Sequence, residues 1–415
     1  MSVPSNLLVQ VQTYQMSQLA FLGNFGAFIH TTNKKFENFD SKVANLGDTV
    51  NFELPPRLVS QEGLVVNYQA TQQRLQPLTV NKALNCSYAY TSQQMIFNIE
   101  DYMERVGKAA VMELGTTVEA DVASLAETQP YRFFGDGVTQ INSFGQLANM
   151  LAQYRTYGVA KDKIKVYLSD IAEPQISNSG LNQFVLDRNE ELANSWEVGN
   201  WSGVDFYQSN LLPIHNSGTV GNLGQTLTVV STNDPTGNNI TQITVSGATA
   251  SDPDAIKMFD SLQFQDNVSG KPNMRYLTFV GHRPSAAFVQ IQATADAAAD
   301  GSGNVVINIS PALCSVAGNP NQNLSFNVQA GMQLKALPSH RCGLIVGGDA
   351  MYLAMPKLPD QSPFYTGNAM DPDMGISLRL TYGAVLGQNQ LCYVNDIIYG
   401  FTLPGEYAMK IAFPL

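Results

Sequence analysis

Thr49-Val50-Asn51-Phe52-Glu53-Leu54, then Leu64-Val65-Val66-Asn67-Tyr68, then Leu78-Thr79-Val80 through Tyr90, open the stretch that decides the fold. The segments alternate apolar and polar as strands do, with Gly63 and the glutamine-rich run Gln69 to Gln76 at the turns. This reads as a long antiparallel ribbon. Directly after it, apolar residues fall at Ile99, Met103, Val106, Ala110, Leu114, Val118, Val122 and Leu125. Steps of three and four keep one stripe throughout, which predicts a single helix. At 1.5 Å per residue it would be about 40 Å long. A projecting ribbon followed by such a helix buries little surface within one subunit. The stretch from Leu46 to Thr128 is therefore expected to be stabilised by packing on neighbours. The chain reads as one built to assemble.

Composition points the same way. At 415 residues there is room for roughly two to four domains. Charged residues make up 14%, against about 25% in ordinary soluble domains. Hydrophobic content is an ordinary 44%, so Asn, Gln, Ser and Thr take the place of the missing charge. A surface short of charge favours large contacts between copies. The net charge is -11, and the densest basic spots are Lys34-Lys35 and Lys161-Asp162-Lys163. Affinity for nucleic acid grows with the phosphates neutralised, which argues against tight direct binding but not against enclosure. Cys86, Cys314, Cys342 and Cys392 lie far apart without a CxxC, and the start Met1-Ser2-Val3-Pro4 lacks a basic n-region. These features predict reduced thiols and synthesis in the cytoplasm. No 18-residue apolar run exists, so no membrane span is expected.

Residues 1–45 hold an apolar, aromatic segment broken by Gly23 and Gly26, which reads as an arm needing cover. Beyond the helix, Pro130 to Gly137 form a turn-rich connector. Ser143 with Gln146 caps a helix carrying Phe144, Leu147, Leu151 and Tyr154, and Gly158 closes it. Ile164–Leu168 and Val204–Gln208 read as strands, and Asp170 to Ser177 as a short helix, giving an α+β texture. From Gly218 to about Ala336 the chain turns to short strands: 227–230, 240–245, 262–265, 276–280, 288–294, 305–309 and 332–334. That spacing predicts a small barrel or sandwich. Then 343–346 and 351–355 resume the earlier style, and 376–382 and 390–409 read as long strands. An all-β block between two α+β halves is the mark of an inserted domain. Its flanks match: Leu212-Pro213-Ile214-His215 going in, Leu337-Pro338-Ser339-His340 coming out.

The residues offer little chemistry. The four histidines (His30, His215, His282 and His340) show no HxH or HxxxH spacing for a metal. His215 and His340 are expected to meet at the base of the insert as polar junction residues. There is no Gly-x-Ser-x-Gly, Walker-type loop or Gly-x-Gly-x-x-Gly. Asp252–Asp254 and Asp371–Asp373 lack the glycine and glutamate of a calcium loop and read as Asx-capped turns. No catalytic, cofactor-binding or metal-ligating residue is assigned, and no enzyme activity is expected. Candidate contact residues between subunits are the ribbon charges Glu53, Arg57, Glu62 and Arg74. Added to them are Glu119 and Asp121, from a helix half that carries four acids and no base between Ala109 and Gln129. For that acidic face, a solvated surface and a basic partner both remain open.

The order of arm, ribbon, long helix, α+β domain with β insert and returning sheet resembles a major capsid protein of tailed bacteriophages. The shared architecture is the Hong Kong 97-type fold, with an insert similar to that of the Salmonella phage P-twenty-two-type coat protein. The residues carrying this are Leu46 to Phe52, Ala120 to Ala123, Asp205 to Pro213, His340-Arg341 and the run Gly375 to Leu415. The resemblance implies an N-terminal arm at 1–45, an extended ribbon (E-loop) at 46–90, and a spine helix with its P-domain at 91–140. It further implies a first A-domain part at 141–217, the inserted β-barrel at 218–338, and the A-domain remainder with a return to the P-domain sheet at 339–415. It implies hexamers and pentamers of the chain, a scaffolding protein, a portal, a decoration protein as an optional partner, and enclosed double-stranded DNA. The location implied is the virion capsid, assembled in the host bacterial cytoplasm. A nanocompartment shell of the same fold, another virion part and a β-rich hydrolase are the competing readings.

Overall fold

Among the described residues strand dominates over helix. The structure, a computed structural model, describes residues 26–33, 49–59, 68, 73–91, 99–156, 163–169, 197–201, 203–278, 281–360, 365–371, 376–385 and 390–415. The expected strand at 64–68, save Tyr68 itself, the helix at 170–177 and the Gly158 stop lie outside them. The chain divides into two compact units.

The first unit comprises 1–52, 75–123 and 349–403. The predicted stripe forms one helix of 25 residues, Ile99–Ala123, except for its last position, Leu125, which begins a separate short helix, Leu125–Thr128. Leu114, Val118 and Val122 are buried along it. The ribbon is shorter than expected, for the run from Leu78 to Tyr90 breaks at Val80-Asn81. Thr49–Leu54 pairs with Arg74–Thr79 as a two-stranded sheet. Lys82–Thr91 joins a different sheet, lying antiparallel to Gln390–Thr402 from Lys82↔Tyr399 to Thr91↔Gln390. Its alternation places Tyr88 and Tyr90 against Tyr393, a cross-strand aromatic cluster that fixes register. Ile376–Val385 and Tyr365–Asp371 extend the sheet on one side and Tyr352–Ala354 on the other. The strand at 365–371 has no counterpart in the sequence reading, because Gly367 and Asn368 interrupt its apolar pattern.

The described part of the expected arm, 26–33, is integral to this unit. Ala27–Thr31 is a short helix with Ala27, Phe28 and Ile29 buried. Asn33 bridges to Tyr352, its N–H donating to Met351 O at 2.8 Å.

The second unit comprises 53–74, 124–348 and 404–415. Its main sheet runs Phe133–Phe134, Ala408–Phe413, His340–Val346, Ile164–Leu168, Val204–Gln208, Glu197–Trp201, with Ile214–His215 also on His340–Val346. The single long strand expected over 390–409 is divided here: Pro404 and Gly405 end the first strand, and Ala408–Phe413 begins another. Helix Phe144–Thr156 buries Leu147, Met150, Leu151 and Tyr154. The capping box forms as expected, with Gln146 N–H donating to Ser143 Oγ at 3.3 Å and Ser143 N–H to Gln146 Oε1 at 3.2 Å.

The short strands close into a six-stranded barrel. Its order is Ile240–Ser246, Asn304–Leu313, Gln290–Ala293, Ser261–Phe264, Gln333–Ala336, Thr226–Thr232 and back to the first. Closure removes the edges that an open sheet would present. Alternate side chains fill the interior, among them Leu227, Val229, Ile243, Val245, Ile291, Val305 and Ile307. Gly303 (φ 76°) makes one hairpin tip, where a Cβ would fall 2.4 Å from Ala248 O. Asp300 accepts the Ser302 and Asn304 N–H groups there, each at 2.8 Å. The buried apolar residues of barrel and main sheet form one continuous core.

Candidate functional site

The two Leu-Pro flanks bring four residues into register, Ile214 opposite Arg341 and His215 opposite His340. The imidazole rings lie 5.4 Å apart at 52°, in a junction that the barrel closes from one side. There His215 is 1% exposed, and Asp260, His340 and Lys410 are fully buried.

His215 has a carboxylate on each ring nitrogen, Glu127 Oε1 at 2.7 Å from Nδ1 and Asp260 Oδ1 at 2.8 Å from Nε2. A neutral imidazole carries one N–H and cannot donate to both. The geometry therefore fits the imidazolium. Burial alone would lower the His215 pKa, but hydrogen bonds to Asp260 and Glu127 outweigh it and raise the pKa above the ordinary histidine value. Asp260 also accepts the N–H groups of Gly218 at 3.1 Å and Lys257 at 2.9 Å. Its carboxylate thus gathers three donors from the start of the insert and the strand it enters.

His340 behaves oppositely. Nδ1–H donates to Pro338 O at 2.7 Å. Burial, helped by the nearby Lys410 ammonium, lowers its pKa to about 3, so it stays neutral. Lys410 sits in the apolar run Ala408-Met409-Lys410-Ile411-Ala412-Phe413. Its Nζ reaches Ser261 Oγ at 3.2 Å and Phe259 O at 3.5 Å. Burial depresses its pKa, partly offset by Cys342, Glu127 and Asp260. The Cys342 thiol is pushed up to about 11 by burial.

Two barrel glutamines complete the junction. Gln290 exchanges both bonds of a β-bridge with Phe133, accepting its N–H at 2.9 Å and donating to its O at 2.9 Å. Gln292 Nε2 donates to Glu127 O at 2.8 Å. The charged groups and both glutamines here are answered, as burial requires, whereas His340 Nε2 has no hydrogen-bond partner among the described residues. The carboxylates lie on opposite nitrogens of His215 and do not converge. Among the described residues, no group of three or more His, Cys, Asp or Glu side chains is placed to hold a metal. What this arrangement does chemically is hold charge: it fixes where the chain enters and leaves the barrel.

The sequence-predicted contact residues fall elsewhere. Glu53 is exposed and accepts from Gln73 Nε2 at 3.3 Å. Arg57 and Arg74 both bond Glu406 Oε1 within the chain. Glu62 lies outside the described residues. Glu119 is 2% exposed, and its two oxygens accept the N–H groups of Phe28 and Ile29, each at 2.8 Å. That use is neither the solvated face nor the basic partner left open by the sequence. Asp121 Oδ2 meets Lys82 Nζ at 2.8 Å and accepts from Tyr399 OH. Sequence reasoning missed Asp260, Glu406 and Lys410. Lys410 alone had a legible signal, a single cation inside an apolar strand.

No protein-family model matches the chain, and no curated protein matches it. Among solved structures the chain is similar to one from Mycobacterium phage Che8, at 8% identity and TM-score 0.45, covering 93% of this chain and 90% of that one. The capsid structure of the cyanophage P-SCSP1u matches at 11% identity and TM-score 0.40, over 88% and 84%. A virus-like particle from Pyrococcus furiosus matches at 5% identity and TM-score 0.39, over 96% and 97%.

Proposed function

We propose that this chain is the major capsid protein of a tailed bacteriophage, assembling into the icosahedral shell around double-stranded DNA. The observation that carries the reading is the ribbon. Its strands Thr49–Leu54 and Arg74–Thr79 pair only with each other among the described residues. Large apolar side chains are left in solvent on or beside it: Leu58 is 57% exposed, Leu75 50% and Tyr68 97%. A two-stranded ribbon with such side chains is marginal in water, and a neighbouring copy that covers them stabilises both. The charge-poor composition serves the same end.

In this reading the ribbon is the E-loop of a Hong Kong 97-type fold, Ile99–Ala123 is the spine helix, and 218–338 is a domain inserted into the A-domain. A scaffolding protein and a portal are its partners in assembly. With a net charge of -11, the inner wall encloses DNA without gripping it. Glu53, Arg57, Glu62, Arg74, Glu119 and Asp121 remain the contacts proposed between subunits; all but Glu62, which lies outside the described residues, also have a partner within the chain. The shell is held without covalent links: no lysine lies between Thr49 and Asn81, and the Lys82 amine is paired with Asp121.

Expression with the neighbouring genes, followed by negative-stain microscopy, tests this. Icosahedral particles of about 50–70 nm are expected. Boiled in detergent with reductant, they should give one band near 45.1 kDa. Soluble monomers under all conditions would overturn the capsid reading, and a surviving ladder would overturn the non-covalent one. Particles formed without phage genes around an enzyme cargo would point to a nanocompartment.

A further inference from the structure

The acidic chain places its arginines unevenly. A cavity of about 500 Å³ in the second unit is lined by Arg57, Arg74 and Glu406 on one side, by Tyr131 and Tyr276 at its back, and by barrel asparagines including Asn238, Asn319 and Asn323. Tyr131 and Tyr276 stack at 6.2 Å with 17° between planes, forming a rigid wall. Both arginine NH2 groups are directed at the same oxygen, Oε1 of Glu406. Their side chains keep 16% and 23% exposure, and Glu406 keeps 20%. Among the described lining residues the formal charge is therefore two positive and one negative, in a chain with 23 basic and 34 acidic residues.

The guanidinium of Arg132 lies beside this wall. It is fully buried, donates to the carbonyl oxygens of Glu406 and Ala408, and stands 5.8 Å from the Tyr131 ring. A third cation thus bears on a cavity that holds one carboxylate. Planar guanidinium groups match carboxylates in two-point hydrogen bonding. Asn319 Nδ2 and Asn323 Nδ2 already donate to Asn238 Oδ1 and Ala312 O, each at 2.8 Å, so the second N–H of each amide is what the barrel side has left for an acceptor-only guest.

We infer that this cavity is a binding site for a carboxylate-bearing group, which enters between Arg57 and Arg74 and competes with Glu406 for them. The guest is a free polycarboxylate or an acidic side chain of another copy. Only the second source rests on the assembly proposed above.

The test is calorimetric titration of the full-length unassembled chain with malonate, at constant ionic strength against chloride. Saturable binding of one malonate per chain is expected, weakened at least tenfold by Arg57→Gln or Arg74→Gln. Glu406→Gln removes the competitor and should tighten binding several-fold, a gain that a folding defect cannot imitate. No saturable heat, or affinity unchanged in all three variants, would overturn the site. Weaker binding in Glu406→Gln would also overturn it. Assembled particles distinguish the sources. A site filled by a neighbour leaves particles without malonate binding, whereas a site for a free ligand keeps one per chain. Absence of particles would count against the capsid reading and leave the titration of the chain decisive for the cavity.

Discussion

The barrel base and the ribbon treat polarity in opposite ways. At the base, charged groups are buried and each meets a partner: His215 between Asp260 and Glu127, Lys410 on Ser261. On the ribbon, Leu58, Leu75 and Tyr68 are apolar and exposed. A buried, answered polar network is costly to assemble but more costly to break, and it specifies one arrangement. Exposed apolar groups contribute nothing to the isolated fold. The difference separates residues that set the subunit's shape from those available to a neighbour, and each variant below probes one side of it.

The largest effect is expected at Asp260. Asp260→Ala strips three donors of their acceptor and leaves His215 and Lys410 buried with one carboxylate fewer. Breaking such a pair costs about 3–5 kcal/mol. Urea unfolding of the unassembled chain should show this as a lower midpoint. A change under 1 kcal/mol would mean that the base is solvated and that the contrast with the ribbon is false.

Next in size is the pH dependence, in which the two histidines act in opposite senses. His340 titrates near 6.5 when unfolded and at about 3 when folded. Between those values the unfolded chain binds the extra proton, so stability falls as pH falls. From pH 6.5 to pH 4 the loss is about 3 kcal/mol. His215 has a raised folded pKa. Its contribution is fully present below about pH 6.5 and is lost as pH rises through the folded value. Together they set maximal stability near pH 6.5. His340→Gln should flatten the acid limb and His215→Gln the alkaline one, measured by melts of the unassembled chain across pH. An acid limb of equal slope in wild type and His340→Gln would refute the assignment.

At the N-terminal helix the effect is smaller. Glu119→Gln keeps an acceptor for one of the Phe28 and Ile29 N–H groups but turns an NH2 toward the other. A buried donor left without an acceptor costs about 1–3 kcal/mol. Hydrogen exchange at Phe28 and Ile29 should speed up before that of the sheet at 390–402. Unchanged protection would show that packing of Phe28 and Ile29 alone holds the segment. Gly26→Ala should mimic the defect by sterics, because a Cβ there would lie 2.3 Å from Glu119 Cδ.

How far the sequence could be read follows from which signals are local. The helix stripe from Val106 to Val122, the capping box at Ser143 and the turn-punctuated barrel strands are short-range patterns, and all three were legible. So was the meeting of His215 with His340, because the repeated Leu-Pro flanks mark where an insert leaves and returns. The break at Val80-Asn81 was not, since alternation continues through it and only pairing with 390–402 shows that the strand has changed sheets. Nor was the strand Pro284–Phe288, which pairs with Arg275–Leu277 outside the barrel and whose small residues carry no clear alternation. At the site, Asp260 and Glu406 gave no local signal of their ion pairs: the charged partners His215 and Arg57 lie 45 and 349 residues away in sequence. Glu119 misled for a related reason. An acid on a helix face reads as solvated until the segment that it caps, some 90 residues earlier, is placed upon it.

The smallest effect on folding, and the sharpest on assembly, is expected at the ribbon. Leu75 is half exposed and Leu58 more so, so replacing either by serine removes little buried apolar surface from the isolated chain. Such surface substitutions change stability by less than about 0.5 kcal/mol. If a neighbouring copy covers these side chains, the same substitutions remove apolar contact from every subunit interface of the shell. Burial of one leucine is worth about 1.5–3 kcal/mol per contact, and the loss is repeated across the particle. Leu58→Ser and Leu75→Ser should therefore melt like wild type as unassembled chains yet give few or no particles when expressed with the neighbouring genes. Sedimentation and negative-stain counts measure the second quantity and a thermal melt the first. Normal particle yield from the double variant would remove the ribbon from the interface. A lowered melt of the unassembled chain would show that these leucines already pack within the subunit, and the contrast between base and ribbon would then be one of degree.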